Sequence, residues 1–229
     1  MARYFALLCC AVCAWALCGA GPGLAQDTKP VIETGKKAVV EDGFVPLFDG
    51  KLLANWEGTA YWFRVDESAI VAGRLDEKIP NNFFLATMRE YGDFELRLQV
   101  KTIGDGVNAG IQFRTKRIPG SHEVSGYQAD VGGVGEKSVW GALYDESRRQ
   151  RMLATPDAEL LSRIVRTDDW NDYTIRCVGP KIELFVNGEK TVDYTETEPG
   201  IDTSGVIAVQ IHSGPPSEAW YRNLRIKTL

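Results

Sequence analysis

Histidine is nearly absent from this 229-residue chain, which has two, and cysteine is scarce, with five. Four of those cysteines, Cys9, Cys10, Cys13 and Cys18, lie in an apolar N-terminal stretch, so beyond it Cys177 stands alone and no intrachain disulfide can form. The fold has to stand on its core. No later apolar run approaches the roughly 18 residues expected of a spanning helix, so no membrane insertion is expected. Clusters of Lys and Arg are missing as well. With 26 basic and 31 acidic side chains the formal net charge is −5, which argues against a phosphate-backbone partner, and no nucleic acid is expected. Helical periodicity is also scarce, the best stretch being Asp157-Ala-Glu-Leu-Leu-Ser-Arg-Ile-Val165.

The N-terminal stretch reads as an export signal. Arg3 precedes an almost wholly apolar run from Tyr4 to Leu17, then a Gly/Pro break and the small-x-small end Gly23-Leu24-Ala25. Residues 1–25 are therefore expected to be a signal peptide, and the remaining chain to be exported, either periplasmic or secreted. None of the four leader cysteines follows a Leu-x-small pattern, which disfavours a lipid anchor. Residues 26–43 are polar, poor in aromatics and contain Pro30, as in a flexible lead-in, and the folded domain is expected over residues 44–229.

What is plentiful is strand pattern. Asp93-Phe-Glu-Leu-Arg-Leu-Gln-Val100 alternates without a fault, with Phe94, Leu96, Leu98 and Val100 inward and Glu95, Arg97 and Gln99 outward. Tyr173–Cys177, Ile182–Val186 and Thr191–Tyr194, joined by turns at Gly179-Pro180-Lys181 and Asn187-Gly188, form an antiparallel meander. Further strands are expected at Phe63–Val65, Ala69–Val71, Phe83–Ala86 and Trp220–Lys227. The class is all-β, a sandwich of two antiparallel sheets.

Three strands carry more than packing: Asn108-Ala-Gly-Ile-Gln-Phe-Arg114, Tyr127-Gln-Ala-Asp-Val131 and Val206-Ile-Ala-Val-Gln-Ile-His212. Side chains alternate between faces, so Ala109, Ile111, Phe113, Tyr127, Ala129, Val131, Ile207, Val209 and Ile211 share the core side. The opposite parity gathers Gln112, Arg114, Gln128, Asp130, Gln210 and His212, a set with donors, an acid and a base within reach of one ligand if the strands share a sheet. Trp140 and Tyr144 share parity in Val139-Trp-Gly-Ala-Leu-Tyr144, after the loop Gly132-Gly-Val-Gly135, and are expected to line one wall of a cleft. Each feature also has a structural reading. The glutamines suit a solvated sheet face, Arg114 and Asp130 a cross-strand ion pair, His122 an exposed loop, and Arg148, Arg149 and Arg151 a solvated charge run. Cys177, on the apolar parity of its strand, reads as a buried inert thiol.

Phe44-Val-Pro-Leu-Phe-Asp-Gly-Lys-Leu-Leu-Ala-Asn-Trp56, Asn108–Arg114, Gly126-Tyr-Gln-Ala-Asp130, Gly141-Ala-Leu-Tyr-Asp145, Asp169-Trp-Asn171 and Tyr221-Arg-Asn-Leu-Arg-Ile226, in this order, resemble the 3-keto-disaccharide hydrolase family over residues 44 to 229. The resemblance implies a concanavalin A-like jelly roll, an exported setting, a carbohydrate substrate and cleavage of glycosides whose sugar is oxidised to the 3-keto form. Functional pairing with a sugar 3-oxidoreductase that makes the keto group would follow.

A conventional glycosidase needs two carboxyls across the scissile bond. The Glu-x-Asp-x-x-Glu strand of laminarinase-like enzymes on this jelly roll does not occur, and Glu123 and Asp130, on either side of a turn expected at Ser125-Gly126, are the only acids placed near the polar face. A 3-keto group changes the requirement, because it acidifies the hydrogen at C2 and opens an elimination route. That route needs a base, a group on the developing enolate oxygen and an acid for the leaving group. His212 is the candidate base, Arg114 the oxyanion group, and Asp130 or Glu123 the acid. Gln112, Gln128, Gln210, Asn108, Tyr144 and Trp140 are the candidate sugar-binding residues. No cofactor is indicated with certainty, and no close ligand spacing supports a metal. A divalent ion, calcium or zinc, on His122, Glu123, Asp130 and His212 stays open. The rival reading is a non-catalytic, lectin-like carbohydrate-binding module on the same fold.

Overall fold

Alternation along the strands sets the architecture. In the computed structural model, which describes residues 43–229, Phe94, Leu96, Leu98 and Val100 are buried while Glu95, Arg97 and Gln99 between them are half-exposed. The signal peptide and nearly all of the lead-in expected at residues 1–43 lie outside the described residues. The elements in chain order are β1 (Val45–Pro46), β2 (Trp56–Glu57), β3 (Phe63–Asp66), β4 (Ala69–Arg74), β5 (Phe83–Tyr91), β6 (Phe94–Ile103), β7 (Asn108–Arg117), β8 (Val124–Val134), β9 (Lys137–Ser138), β10 (Leu143–Glu146), β11 (Arg151–Ala154), α1 (Ala158–Ile164), β12 (Asn171–Val178), β13 (Lys181–Val186), β14 (Glu189–Thr195), β15 (Gly205–Ile211) and β16 (Ser217–Thr228). Helix α1 is the stretch expected from its pattern, and the Asp157 carboxylate accepts from Leu160 N–H as its N-cap.

The first sheet runs β14-β13-β12-β6-β16-β4-β3 with β1 beside β16. The second runs β11-β10-β8-β7-β15-β5-β2 with β9 beside β8. The last two strands of the chain insert in the middle of the two sheets, β16 between β6 and β4, and β15 between β7 and β5. These long-range pairings close a jelly roll rather than two separate meanders. The expected inward set of β7, β8 and β15 is buried in one core with the inward faces of β6, β12, β13 and β16.

Two phenols from the first sheet cross that core to the second. Tyr221 Oη on β16 donates to Gln210 O at 2.6 Å and lies 3.3 Å from Gly110 O. Tyr173 Oη on β12 donates to Asp130 O at 2.6 Å and accepts from Gly141 N–H at 2.8 Å. Both rings are fully buried. A phenol has to find such a partner once it is taken out of water, and here the partners are main-chain atoms on β15, β7 and β8 and of Gly141 just before β10. Cys177 lies in the same core, where burial pushes its thiol up to about 12, in keeping with an inert side chain.

Candidate functional site

The face of the second sheet turned away from the core is built in cross-strand rows. Phe84, Gln210, Gly110 and Asp130 stand opposite one another on β5, β15, β7 and β8. The next row holds Ala86, Ala208, Gln112, Gln128, Tyr144 and Met152. His212 follows β15 and donates its N–H to Asn108 O at 3.0 Å, so these two stand side by side at one end of the face. The face curls: Val124 at the start of β8 packs with Phe84, Ala86 and Ala208, across the width of β7.

Gln112, Gln128, Gln210 and Asp130 are all buried, so the glutamines are not a solvated face. Gln112 Nε2 donates to Gln128 Oε1, and Gln128 Nε2 donates to Asp130 Oδ1 at 2.5 Å. Gln210 Nε2 lies 3.5 Å from Glu146 Oε2. Burial raises Asp130 to about 7 against the opposing hydrogen bond from Gln128, with the Glu146 charge adding to the rise. Burial likewise raises Glu146 to about 7, helped by the charges of Glu123 and Asp145. Burial and the same carboxylates, Glu146 foremost, push the Tyr144 phenol up, so its O–H stays a donor.

Three buried side-chain atoms among the described residues have no hydrogen-bond partner, and two belong to this group: Gln210 Oε1 and Glu123 Oε2. Both are acceptors. An unpaired buried acceptor costs about 1 to 3 kcal/mol, so the face is built for something that brings donors. Glu123 Oε1 is 3.5 Å from His122 Nε2. His212 Nδ1 is 2.8 Å from Ser213 O, and a carbonyl only accepts, so the proton of that bond sits on Nδ1. In the neutral ring this tautomer leaves the lone pair on Nε2, where a base requires it.

Four expectations need correction. Arg114 is not on this face. It has φ 47 within a β-bulge, where the β7–β8 register shifts between Phe113 and Lys116, and the extra residue turns its side chain to the other side. The guanidinium, 2% exposed, donates to Gly92 O (3.0 Å), Gly179 O (2.7 Å) and Asp93 Oδ1 (2.8 Å), so it ties β7 to the first sheet and does not pair with Asp130. Trp140 is a core residue packed on Tyr173 at 5.9 Å between ring centroids, because Gly141 at φ 68 breaks the alternation it was expected to share with Tyr144. Ser125-Gly126 is not a turn but part of β8 opposite the bulge, with Thr115 Oγ1 where a Gly126 Cβ would sit. Finally, Glu146 is a third acid of the face. Its signal was present, since Glu146 shares the parity of Tyr144 two residues earlier.

The arginines after β10 serve the structure. Arg148 and Arg149 both bond the buried Asp145, and Arg149 and Arg151 bond Glu198. Although burial would raise Glu196, hydrogen bonds from Arg149 and Tyr127 hold it down at about 2. Among the described residues no three His, Cys, Asp or Glu side chains gather closely enough to hold a metal, so His122, Glu123, Asp130 and His212 do not form a ligand set. The cleft of about 740 Å³ at the end of the sandwich, over Trp140 and between Gly104–Val107 and α1, is a separate hollow that takes in none of these acids.

Residues 43–227 match the 3-keto-α-glucoside-1,2-lyase-like domain. The chain belongs to this 3-keto-disaccharide hydrolase family. Its members' setting makes this a carbohydrate-active protein, with carbohydrate as the interacting ligand. No relative was found among curated proteins. Among solved structures, a glycosyl hydrolase-like protein of Parabacteroides distasonis is 19% identical with a TM-score of 0.61, over 82% of this chain and 94% of that one. A Bacillus subtilis protein with a galectin-like fold is 11% identical at a TM-score of 0.62, over 81% and 94%. The B. subtilis carbohydrate-binding module CBM66 is 11% identical at 0.55, over 76% and 96%. At these identities the likeness is one of fold, the jelly roll. Among the described residues no helix is long and apolar enough to cross a membrane.

Proposed function

We propose that this chain cleaves 3-keto-glycosides by elimination on the curled face of the second sheet. One observation carries the reading: the unpartnered buried atoms of the face are acceptors, Gln210 Oε1 and Glu123 Oε2, set among carboxyls that sit near neutrality. A neutral ligand rich in hydroxyl donors satisfies such atoms, and an anionic one does not. Family membership supports a 3-keto sugar as that ligand.

In the proposed reaction a base removes the proton at C2, and the pair of electrons spreads into the C3 carbonyl as an enolate. Those electrons then form C1=C2 as the C1–O bond breaks, and an acid delivers a proton to the departing oxygen. Addition of water across C1=C2 completes net hydrolysis. His212, with Nε2 free, is the base, and Asp130 or Glu146, carboxyls able to hold a proton near neutral pH, is the acid. With Arg114 committed elsewhere, the enolate oxygen is met by neutral donors, Tyr144 O–H and the Asn108 amide. Glu123 and Gln210 hold hydroxyls. Export, and work beside a sugar 3-oxidoreductase that supplies the substrate, belong to the same proposal.

The alternative, a lectin-like module, is favoured by the same unpartnered acceptors, which suit binding without turnover. Incubation with 3-keto-trehalose and a 3-keto aryl glucoside, with and without a chelator, separates the two. Release of sugar or aglycone supports the enzyme; saturable binding with no release would leave the lectin.

A further inference from the structure

The amides of Gln112 and Gln128, counted from sequence as sugar contacts, are engaged with each other and with Asp130. We propose that Gln112 and Gln128 are positioning residues: they form a one-way hydrogen-bond chain that holds Asp130 Oδ1 as an acceptor, leaving Oδ2 as the oxygen that carries and transfers a proton. This rests on the proposed role of Asp130 in glycoside cleavage.

The direction of the chain follows from the Asp130 end. Once it has given up its proton the Asp130 carboxylate only accepts, so Gln128 then has to present its NH₂ there, at 2.5 Å, with its Oε1 pointing back to Gln112, and the same orientation serves the acid form when the proton sits on Oδ2. Gln112 in turn has to present its NH₂ to that oxygen, which turns its own Oε1 toward Thr115 Oγ1 at 3.2 Å. The Thr115 hydroxyl has one proton to give and also faces Phe113 O at 3.0 Å and Tyr127 O at 3.3 Å, so the head of the chain sits against the main chain of both strands. All four residues are buried. Rotating either amide alone would set N–H against N–H or oxygen against oxygen, so the two turn together or not at all.

Space enforces the same arrangement. Gly110 stands between Gln210 and Asp130 in their row, and a Cβ there would lie 2.5 Å from Gln128 Cδ. Gln128 thus lies over the one position of the row that has no side chain. From the core side, Tyr173 holds the main-chain oxygen of Asp130 at 2.6 Å. Asp130 is fixed at its backbone and at one carboxyl oxygen. When Oδ2 gives up its proton, Oδ1 remains the acceptor of the Gln128 N–H, and no amide has to rotate during the step.

The test reads Asp130 directly, by the carboxyl ¹³C titration of the unliganded full chain, with Asp130→Asn to identify the resonance. In Gln112→Met, which removes the donor to Gln128 without touching Asp130, the Asp130 midpoint is expected to rise by about one pH unit, because its carboxylate loses an oriented donor. Gln112→Asn, too short to reach Gln128, is expected to do the same and covers a Gln112→Met chain that fails to fold. Gln128→Met should shift the midpoint further. On a 3-keto glucoside the pH limb of kcat is expected to move with the midpoint while KM changes less than about threefold, as for a residue acting through another. Folded Gln112 variants with the wild-type midpoint would overturn the chain, even if their Tm fell. If the midpoint moves but the wild-type protein turns over no 3-keto glycoside, the proposed function fails and the chain stands.

Discussion

Glu146 Oε2 on β10 and Gln210 Nε2 on β15 lie 3.5 Å apart although β8 and β7 run between their strands. At about 4.8 Å per strand the backbones are some 14 Å apart, so the two side chains meet only by reaching over a curled sheet. The Glu146 side chain thereby reaches Gln210, a member of the row of Asp130. Of Glu146→Gln and Asp130→Asn, the one that removes the acid is expected to lower kcat on a 3-keto glucoside by about 10²-fold or more while keeping the fold, measured by steady-state kinetics beside circular dichroism. Full turnover in both variants would remove these carboxyls from the reaction.

Arg114→Met is expected to act on stability and not on the chemistry. It leaves Gly92 O and Gly179 O without this donor and Asp93 with only the Gly179 N–H, a loss of about 2 to 4 kcal/mol. Thermal denaturation should show Tm lower by roughly 5 to 15 °C, with kcat little changed below the transition. A variant of native stability with abolished turnover would restore the catalytic role expected from sequence.

Stability should itself depend on pH. Folded Asp130 and Glu146 hold their protons up to about 7, whereas an unfolded chain releases them near 4, so between these values the folded state binds more protons. Stability is therefore expected to fall as pH rises from about 4 to about 7, and then to level off, by an amount on the order of a few kcal/mol shared by the coupled pair. Glu196, held at about 2, acts in the opposite sense, its contribution being lost as pH falls from about 4.5 toward 2. Urea titrations across pH should show the decline in the wild type, and Asp130→Asn with Glu146→Gln should flatten it.

Gly110→Ala adds one methyl group where Gln128 lies. The backbone there is not left-handed, so the variant is expected to fold, with Gln128 displaced and turnover reduced about tenfold or more. Unchanged kinetics would mean that Gln128 can move without consequence.

Tyr173→Phe and Tyr221→Phe each remove a phenol that holds a main-chain oxygen of the site row. About 1 kcal/mol of stability is expected to go with each hydroxyl. Amide exchange on β8 and β15 should quicken around Asp130 and Gln210; no change in protection would show that the strands hold that row unaided.

Most of the fold was legible because alternation is a local signal: Phe94 to Val100, the β12–β14 meander and the inward set of β7, β8 and β15 all stand where period two puts them. That rule carried the polar face as well, up to the places where the backbone leaves it. Arg114 was misplaced because a bulge inserts one residue, and a bulge at a residue other than glycine leaves no mark in the pattern. Trp140 was misplaced by the left-handed Gly141. Glu146 was legible and overlooked: the parity that selected Tyr144 reaches it in one further step. What no pattern could supply is the orientation of Gln112 and Gln128, since a glutamine on a buried face binds a ligand or a neighbour with the same atoms.

The bulge at Arg114 also draws a line for anyone recutting this protein for another sugar. Before it, Asn108 and Gly110 stand on the polar face, while Ala109 and Ile111 belong to the core and Gln112 to the chain that reaches Asp130. At Arg114 the chain answers to the opposite sheet, through one charged group bonded to Gly92, Asp93 and Gly179. A library that runs across that position would lose members to misfolding before any of them met a substrate, and one confined to the outward position Asn108 would spare both that tie and the core.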